Sequence, residues 1–122
     1  MKNISPHKNL DAWKSSMDLV EVVYSLTLAF PREEKFGLCS QMRRAAISVP
    51  SNIAEGAADR TKKQFISYLS NAVGSLSELD TQLELSLRLG YIKESEYQNV
   101  FQQLDKVKAL VFGLKKSLQR NE

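Results

Sequence analysis

Cysteine, histidine and tryptophan each occur once in this chain of 122 residues, and there are only three prolines and five glycines. One cysteine excludes an internal disulfide. With no secretory signal at the N-terminus, it fits a reducing cytoplasm. The lone histidine, His7, lies in a polar leading stretch and reads as a solvated terminal residue. No Ser/His or Cys/His nucleophile pair can be assembled from it. Carboxylate di-metal bundles need Glu-x-x-His motifs, which are absent, and Cys39 has no ligand partners at a metal-binding spacing. Cys39 reads instead as a small apolar residue. No glycine-rich phosphate loop follows a strand. The apolar runs span a few residues, far short of a membrane crossing. Together these absences argue against an enzyme, a metal, a cofactor and a membrane span. The scarcity of glycine and proline leaves room for long regular elements.

What is present is an ordinary globular composition, 43% apolar and 25% charged, at a length that suits one domain with its own core. The net charge of +3 allows an acidic partner without demanding one.

Apolar residues recur with a helical period in four stretches. In residues 10–28, Leu10, Trp13, Met17, Val20, Tyr24 and Thr27 form a stripe, and Pro31 stops the helix. In residues 36–57 the stripe is Leu38, Met42, Ala45, Val49 and Ile53. Pro50 lies inside this helix, where it predicts a kink, and Gly56 is a plausible stop. Thr61-Lys62-Lys63-Gln64 matches a capping box and opens a third helix. Its stripe is Phe65, Leu69, Ala72, Leu76, Leu79, Leu83 and Ser86, and Gly90 closes it. The fourth starts near Ser95 and carries Tyr97, Val100, Leu104, Val107, Val111, Leu114 and Leu118. No stretch alternates like a strand. The expected fold is all-α: an antiparallel up-down four-helix bundle of left-handed crossing. It spans residues 10–118, with a flexible arm at 1–9 and a polar tail at 119–122.

Helices two and three carry more apolar surface than one core needs. On a helical wheel Ile47 falls opposite the second helix's stripe, with Ala54 beside it, and Gly74, Leu85 and Leu89 fall opposite the third helix's stripe. Gly74 in mid-helix costs about 1 kcal/mol relative to alanine, which a close approach from another helix would offset. These five residues predict a subunit interface and a homo-oligomer.

The segment from Gln41 to Gly56, QMRRAAISVPSNIAEG, is the most unusual part of the chain. Its polar flank of Arg44, Ser48, Ser51 and Glu55, with Asn52 beside it and Glu78 on the next helix as a partner for Arg43 or Arg44, reads as an internal polar network fixing register. The functional reading is contact with RNA or DNA. Arg43, Arg44, Arg60, Lys62 and Lys63 are expected to bracket one corner of the bundle, and the last three sit at a helix start, where free N–H groups favour phosphate. Lys106, Lys108, Lys115, Lys116 and Arg120 add positive charge on helix four.

The same segment resembles the signature of the 23S rRNA intervening-sequence protein family, bacterial four-helix-bundle proteins. Phe30-Pro31-Arg32-Glu33-Glu34, Gly74-Ser75-Leu76-Ser77-Glu78-Leu79 and Leu89-Gly90-Tyr91-Ile92 resemble further family motifs, so the likeness runs through residues 10–118. The resemblance implies a four-helix bundle assembled as a ring-like pentamer, without established enzymatic activity. Relatives are encoded within large-subunit ribosomal RNA genes or serve as accessory proteins of diversity-generating retroelements. Two functions are therefore expected: a weak, sequence-tolerant RNA- or DNA-binding oligomer, or a scaffold for a protein partner with no nucleic-acid role.

Overall fold

The computed structural model describes residues 6–58 and 60–120, and within them every regular element is helical. After a 3-10 turn at Pro6–Asn9, α1 spans Asp11–Thr27, α2 Leu38–Ala57, α3 Lys62–Arg88 and α4 Glu94–Arg120. A second short 3-10 turn, Arg32–Glu34, bridges α1 and α2. At 1.5 Å rise per residue, α3 and α4 are each about 40 Å long.

Each helix lies antiparallel to its two neighbours. Thr27 at the end of α1 meets Arg43 near the start of α2. Ser86 near the end of α3 meets Met42 of α2, and Glu84 of α3 meets Tyr97 in the first turn of α4. Val22 and Leu26 of α1 share a surface groove with Glu96 and Val100 of α4. The diagonal pairs, α1 with α3 and α2 with α4, make no close backbone approach. This is the expected up-down four-helix bundle.

The core lies between the four helices. Leu69, Ala72, Leu76, Leu79, Leu83 and Ser86 of α3 are buried, as are Val100, Leu104, Val107 and Val111 of α4, following the expected stripes. So are Met42, Ala45, Val49 and Ile53 of α2. In α1 the buried stripe is Ala12, Ser16, Leu19, Val23 and Thr27; apart from Thr27, which was expected, it lies one position away from the predicted one. Trp13 and Val20 are half-buried, and Met17 and Tyr24 are exposed. The difference has a packing cause. The small residues Ala12 and Ser16 point inward, and the larger ones lie along the groove against α2. Three hydroxyls are admitted to the core because each donates to its own helix: Ser16 to the Trp13 carbonyl at 2.7 Å, Thr27 to the Val23 carbonyl at 2.8 Å and Ser86 to the Gln82 carbonyl at 2.8 Å.

The helix ends explain the connections. The Thr61 side chain accepts from the Gln64 N–H and the Gln64 side chain accepts from the Thr61 N–H, completing the expected capping box. Gly90, at φ +78°, closes α3. The Gly90 and Tyr91 N–H groups donate to the Leu87 and Ser86 carbonyls, a Schellman closure. Glu96 accepts from the Lys93 N–H at 2.8 Å and so caps α4. Glu34 caps α2, accepting from the Leu38 N–H at 3.0 Å. Helix α2 begins two residues later than predicted, and Phe36 is left outside it, almost fully exposed.

One expectation for α2 is revised. Gly56 is a packing residue inside the helix, which ends one residue later at Ala57. A β-carbon on it would lie 2.7 Å from the Phe65 ring and 2.8 Å from the Tyr68 β-carbon, so it sets how closely α2 and α3 approach. The helix also runs through Pro50, whose ring is buried and lines the groove with Trp13, Met17 and Val20 of α1. Cys39 is buried, its thiol 3.9 Å from the Thr27 carbonyl oxygen. His7 is half-buried and packs edge-on against Trp13, ring centres 4.9 Å apart, and so is not a freely solvated residue. Residues 1–5 of the expected arm and 121–122 of the expected tail lie outside the described residues.

Candidate nucleic-acid interface

The five cations expected at one corner are divided between the two ends of the bundle. Arg43 and Arg44 lie in the second turn of α2, whereas Arg60, Lys62 and Lys63 lie beyond its far end. The intervening helix separates them by about 20 Å. The rise along α2 sets that separation, so the expected single corner does not form.

Their surroundings differ as well. Arg43 is tied to α1: its Nε donates to Thr27 Oγ1 at 2.9 Å, Nη2 donates to the Tyr24 carbonyl at 3.5 Å, and the guanidinium sits 4.4 Å over the Tyr24 ring. It therefore bolts α1 to α2. Arg44 is exposed. Arg60 donates to the Glu55 carbonyl at 2.8 Å, pairs with the Glu55 carboxylate at 3.1 Å, and covers the Tyr68 ring. It closes the α2–α3 connection while keeping an exposed face. Lys62 and Lys63 are exposed in the first turn of α3.

The antiparallel topology makes a different cluster. The start of α1, the end of α2, the start of α3 and the end of α4 share one pole. Lys8, Lys14, Arg60, Lys62, Lys63, Lys115, Lys116 and Arg120 gather there, facing few carboxylates among the described residues, chiefly Asp11 and Glu55. Glu33, Glu34, Asp80, Glu84, Glu94 and Glu96 collect toward the opposite pole. A modest net charge of +3 is thus distributed as a strongly basic end and a mixed, acid-rich end. Lys106 and Lys108 lie near the middle of α4, between them.

The expected polar network is reduced to a small local set. Ser48 is hydrogen-bonded to Ser75 of α3 and donates to the Ala45 carbonyl at 3.1 Å, and Asn52 donates to the Ser48 carbonyl at 2.8 Å. This ties α2 to α3. Glu55 belongs to Arg60, and Glu78 pairs with Gln82 on its own helix at 3.5 Å, not with Arg43 or Arg44. Ser51 lines the apolar groove between α1 and α2. Arg44 points away from the rest, so the six residues form no single network.

The expected interface residues lie on the surface. Ile47, Leu85 and Leu89 are exposed, Ala54 is half-buried in the α1–α2 groove, and Gly74 has no atom within 4 Å of where a β-carbon would stand. What sequence reasoning missed is that Met17, Tyr24, Leu28 and Phe36 are also exposed. Met17 and Tyr24 belong to the predicted α1 stripe, which periodicity alone does not distinguish from the face that is buried.

The carboxylate of Glu34 links the two connections at the acid-rich pole. Oε1 accepts from the Leu38 N–H and Oε2 accepts from Tyr91 Oη at 2.8 Å. The Leu38 bond, then the Tyr91 bond, holds the Glu34 carboxyl below its ordinary range, and the same bond pushes the Tyr91 phenol up. Burial, followed by the neighbouring Glu84 carboxylate, raises Tyr97. No group of three or more His, Cys, Asp or Glu side chains able to hold a metal ion occurs among the described residues, and no helix there is long and apolar enough to cross a membrane.

No curated protein matches the sequence. Among solved structures, the fold is similar to a Bacteroides thetaiotaomicron protein described as of unknown function and from the S23 ribosomal protein family. The TM-score is 0.77 at 23% identity, over 86% of this chain and 95% of that one. The family model for the 23S rRNA-intervening sequence protein matches residues 8–113, which takes in the whole α1–α3 array, the Gln41–Gly56 segment and most of α4. With the four-helix bundle on the same residues, the chain belongs to the 23S rRNA-intervening sequence protein family.

Proposed function

We propose that the chain is a non-catalytic, homo-oligomeric bundle that binds RNA or DNA through its basic pole, reading phosphate more than sequence. The observation that carries this is the excess of lysine and arginine over carboxylates at one end of the bundle, whereas Arg32, Lys35, Arg43, Arg44, Arg88 and Lys93 lie toward the other end among carboxylates. Cations clustered on one surface release counterions together when they meet a phosphate backbone. The first turn of α3 lies at the same pole, and its N–H groups add to the field. Association into a ring, the pentamer implied by the family resemblance, repeats each pole around a rim and multiplies a modest charge per chain.

Titration of a labelled RNA hairpin and a DNA duplex by fluorescence anisotropy tests the reading. For three to four phosphate contacts, affinity falls about 40- to 150-fold between 50 and 200 mM salt. Absence of binding at 50 mM salt, or binding indifferent to salt, overturns it. Retention of a protein partner from nuclease-treated lysate in that case would favour the scaffold role, which the exposed apolar groove between α1 and α2 supports.

A further inference from the structure

We infer that the junction of α1 and α2, at the opposite end from the basic pole, is a second nucleic-acid site, one that takes unpaired nucleotides. A base stacks on Phe36, and Arg32, Lys35 and Arg44 meet the phosphates. The site lies outside the contact in the proposed function, so each can fail without the other.

Two surface hollows meet at this junction. One, of about 270 Å³, is lined by Leu28, Pro31 and Arg32 at the end of α1 and the connection. The other, of about 290 Å³, is lined by Tyr24, Phe36 and Arg44. They share Lys35, Cys39 and Arg43. Carboxylates collect toward this pole, yet none lines either hollow among the described residues. Glu34 is turned to the Leu38 N–H and the Tyr91 hydroxyl, and Asp80 and Glu84 line a separate surface on α3. Arg32, Lys35, Arg43 and Arg44 make no ion pair among the described residues. The hollows are therefore locally cationic, and their positive charge is left for an anion from outside.

The aromatic side chains select which anion. Phe36 is 88% exposed and contributes nothing to the core. Lys35 Nζ stands 5.4 Å from the centre of its ring. An open ring beside a cation suits an unpaired nucleotide, because the ring stacks on the base while the cation meets the phosphate. Bases in a duplex are already stacked on their neighbours, so a duplex offers this surface only phosphate. The wall behind Phe36 is set in advance. The Arg43 guanidinium lies 4.4 Å over the Tyr24 ring and is hydrogen-bonded to Thr27, so little ordering remains to be done on binding.

The test is fluorescence anisotropy at about 50 mM salt, with two labelled single-stranded probes of equal charge, a thymidine hexamer and an abasic hexamer. The chain carries Lys63→Glu, Lys115→Glu and Lys116→Glu, which silence the basic pole. The thymidine hexamer is expected to bind at least about fivefold more tightly than the abasic one, the gain from one stacked base. Phe36→Ala is expected to weaken thymidine binding about 5- to 150-fold and to leave abasic binding unchanged. Phe36→Trp keeps the preference. Arg32→Glu with Lys35→Glu weakens both probes. Equal binding of the two probes, or a Phe36→Ala chain that keeps its preference for thymidine, overturns the site. If the triple variant loses its helical circular dichroism, the same comparison in the wild-type background decides, because Phe36→Ala must still abolish the preference. The salt titration of hairpin and duplex reports separately on the basic pole.

Discussion

Two glycines in this protein do opposite things. Gly56 leaves room for Phe65 and Tyr68, so Gly56→Ala overpacks the α2–α3 contact. It is expected to lower stability by about 1–3 kcal/mol in urea melts, even though alanine is the better helix former. Gly74 faces open space within its own chain. Gly74→Ala is expected to add about 0.5–1 kcal/mol, and a loss instead would mark it as a contact between copies. Glu34 gives a residue-scale pH effect. Its folded pKa lies below its ordinary value of 4.5, so its contribution is present above that value and is lost as pH falls through the folded one. Tyr91 is raised above 10.0, so its contribution is present below pH 10 and fades as pH rises through the folded value. Glu34→Gln should flatten the acid limb of a Tm-against-pH curve. An unchanged limb would show that the Glu34 link between the connections does not matter to stability.

At the scale of elements, α3 was the most legible. Its cap, its stripe and its closing glycine all point to the same helix, and each is a local interaction. Thr61→Ala removes the capping oxygen and is expected to cost about 1 kcal/mol, read as a lower midpoint in urea. The α1 stripe was misplaced by one position because Leu19, Val20, Val22 and Val23 make two adjoining faces apolar. Periodicity measures spacing, and it cannot choose between two apolar faces of the same helix. Pro50 shows a similar limit. Its cost to α2 is local and readable, while its use as packing against α1 depends on a helix some thirty residues earlier in the chain.

At the scale of the molecule, the up-down order gathers cations that are far apart in sequence. Arg60 and Lys63 share a pole with Lys115, Lys116 and Arg120 because α3 and α4 run antiparallel. Lys63→Glu, Lys115→Glu and Lys116→Glu together are expected to weaken RNA binding more than tenfold at 100 mM salt and to flatten its salt slope. The helical circular dichroism should stay at the wild-type level, since none of the three side chains is buried. Arg44→Glu, at the other pole, should change that affinity far less. Equal losses from both sets would remove the case for a single basic end.

The sequence by itself determined four helices, the Thr61 cap and Gly90 closure of α3, three of the four core stripes and the family, because these depend on neighbours a few residues apart. Tertiary structure alone decided which α1 face is buried, why Gly56 is glycine, that Arg43 serves α1, and which cations share an end. Those outcomes turn on distances between helices, and separation along the chain does not report them. The Gln41–Gly56 segment shows both sides. Its pattern marked helix and family, but only packing assigned Ser48 to α3, Pro50 to α1 and Arg44 to the open surface.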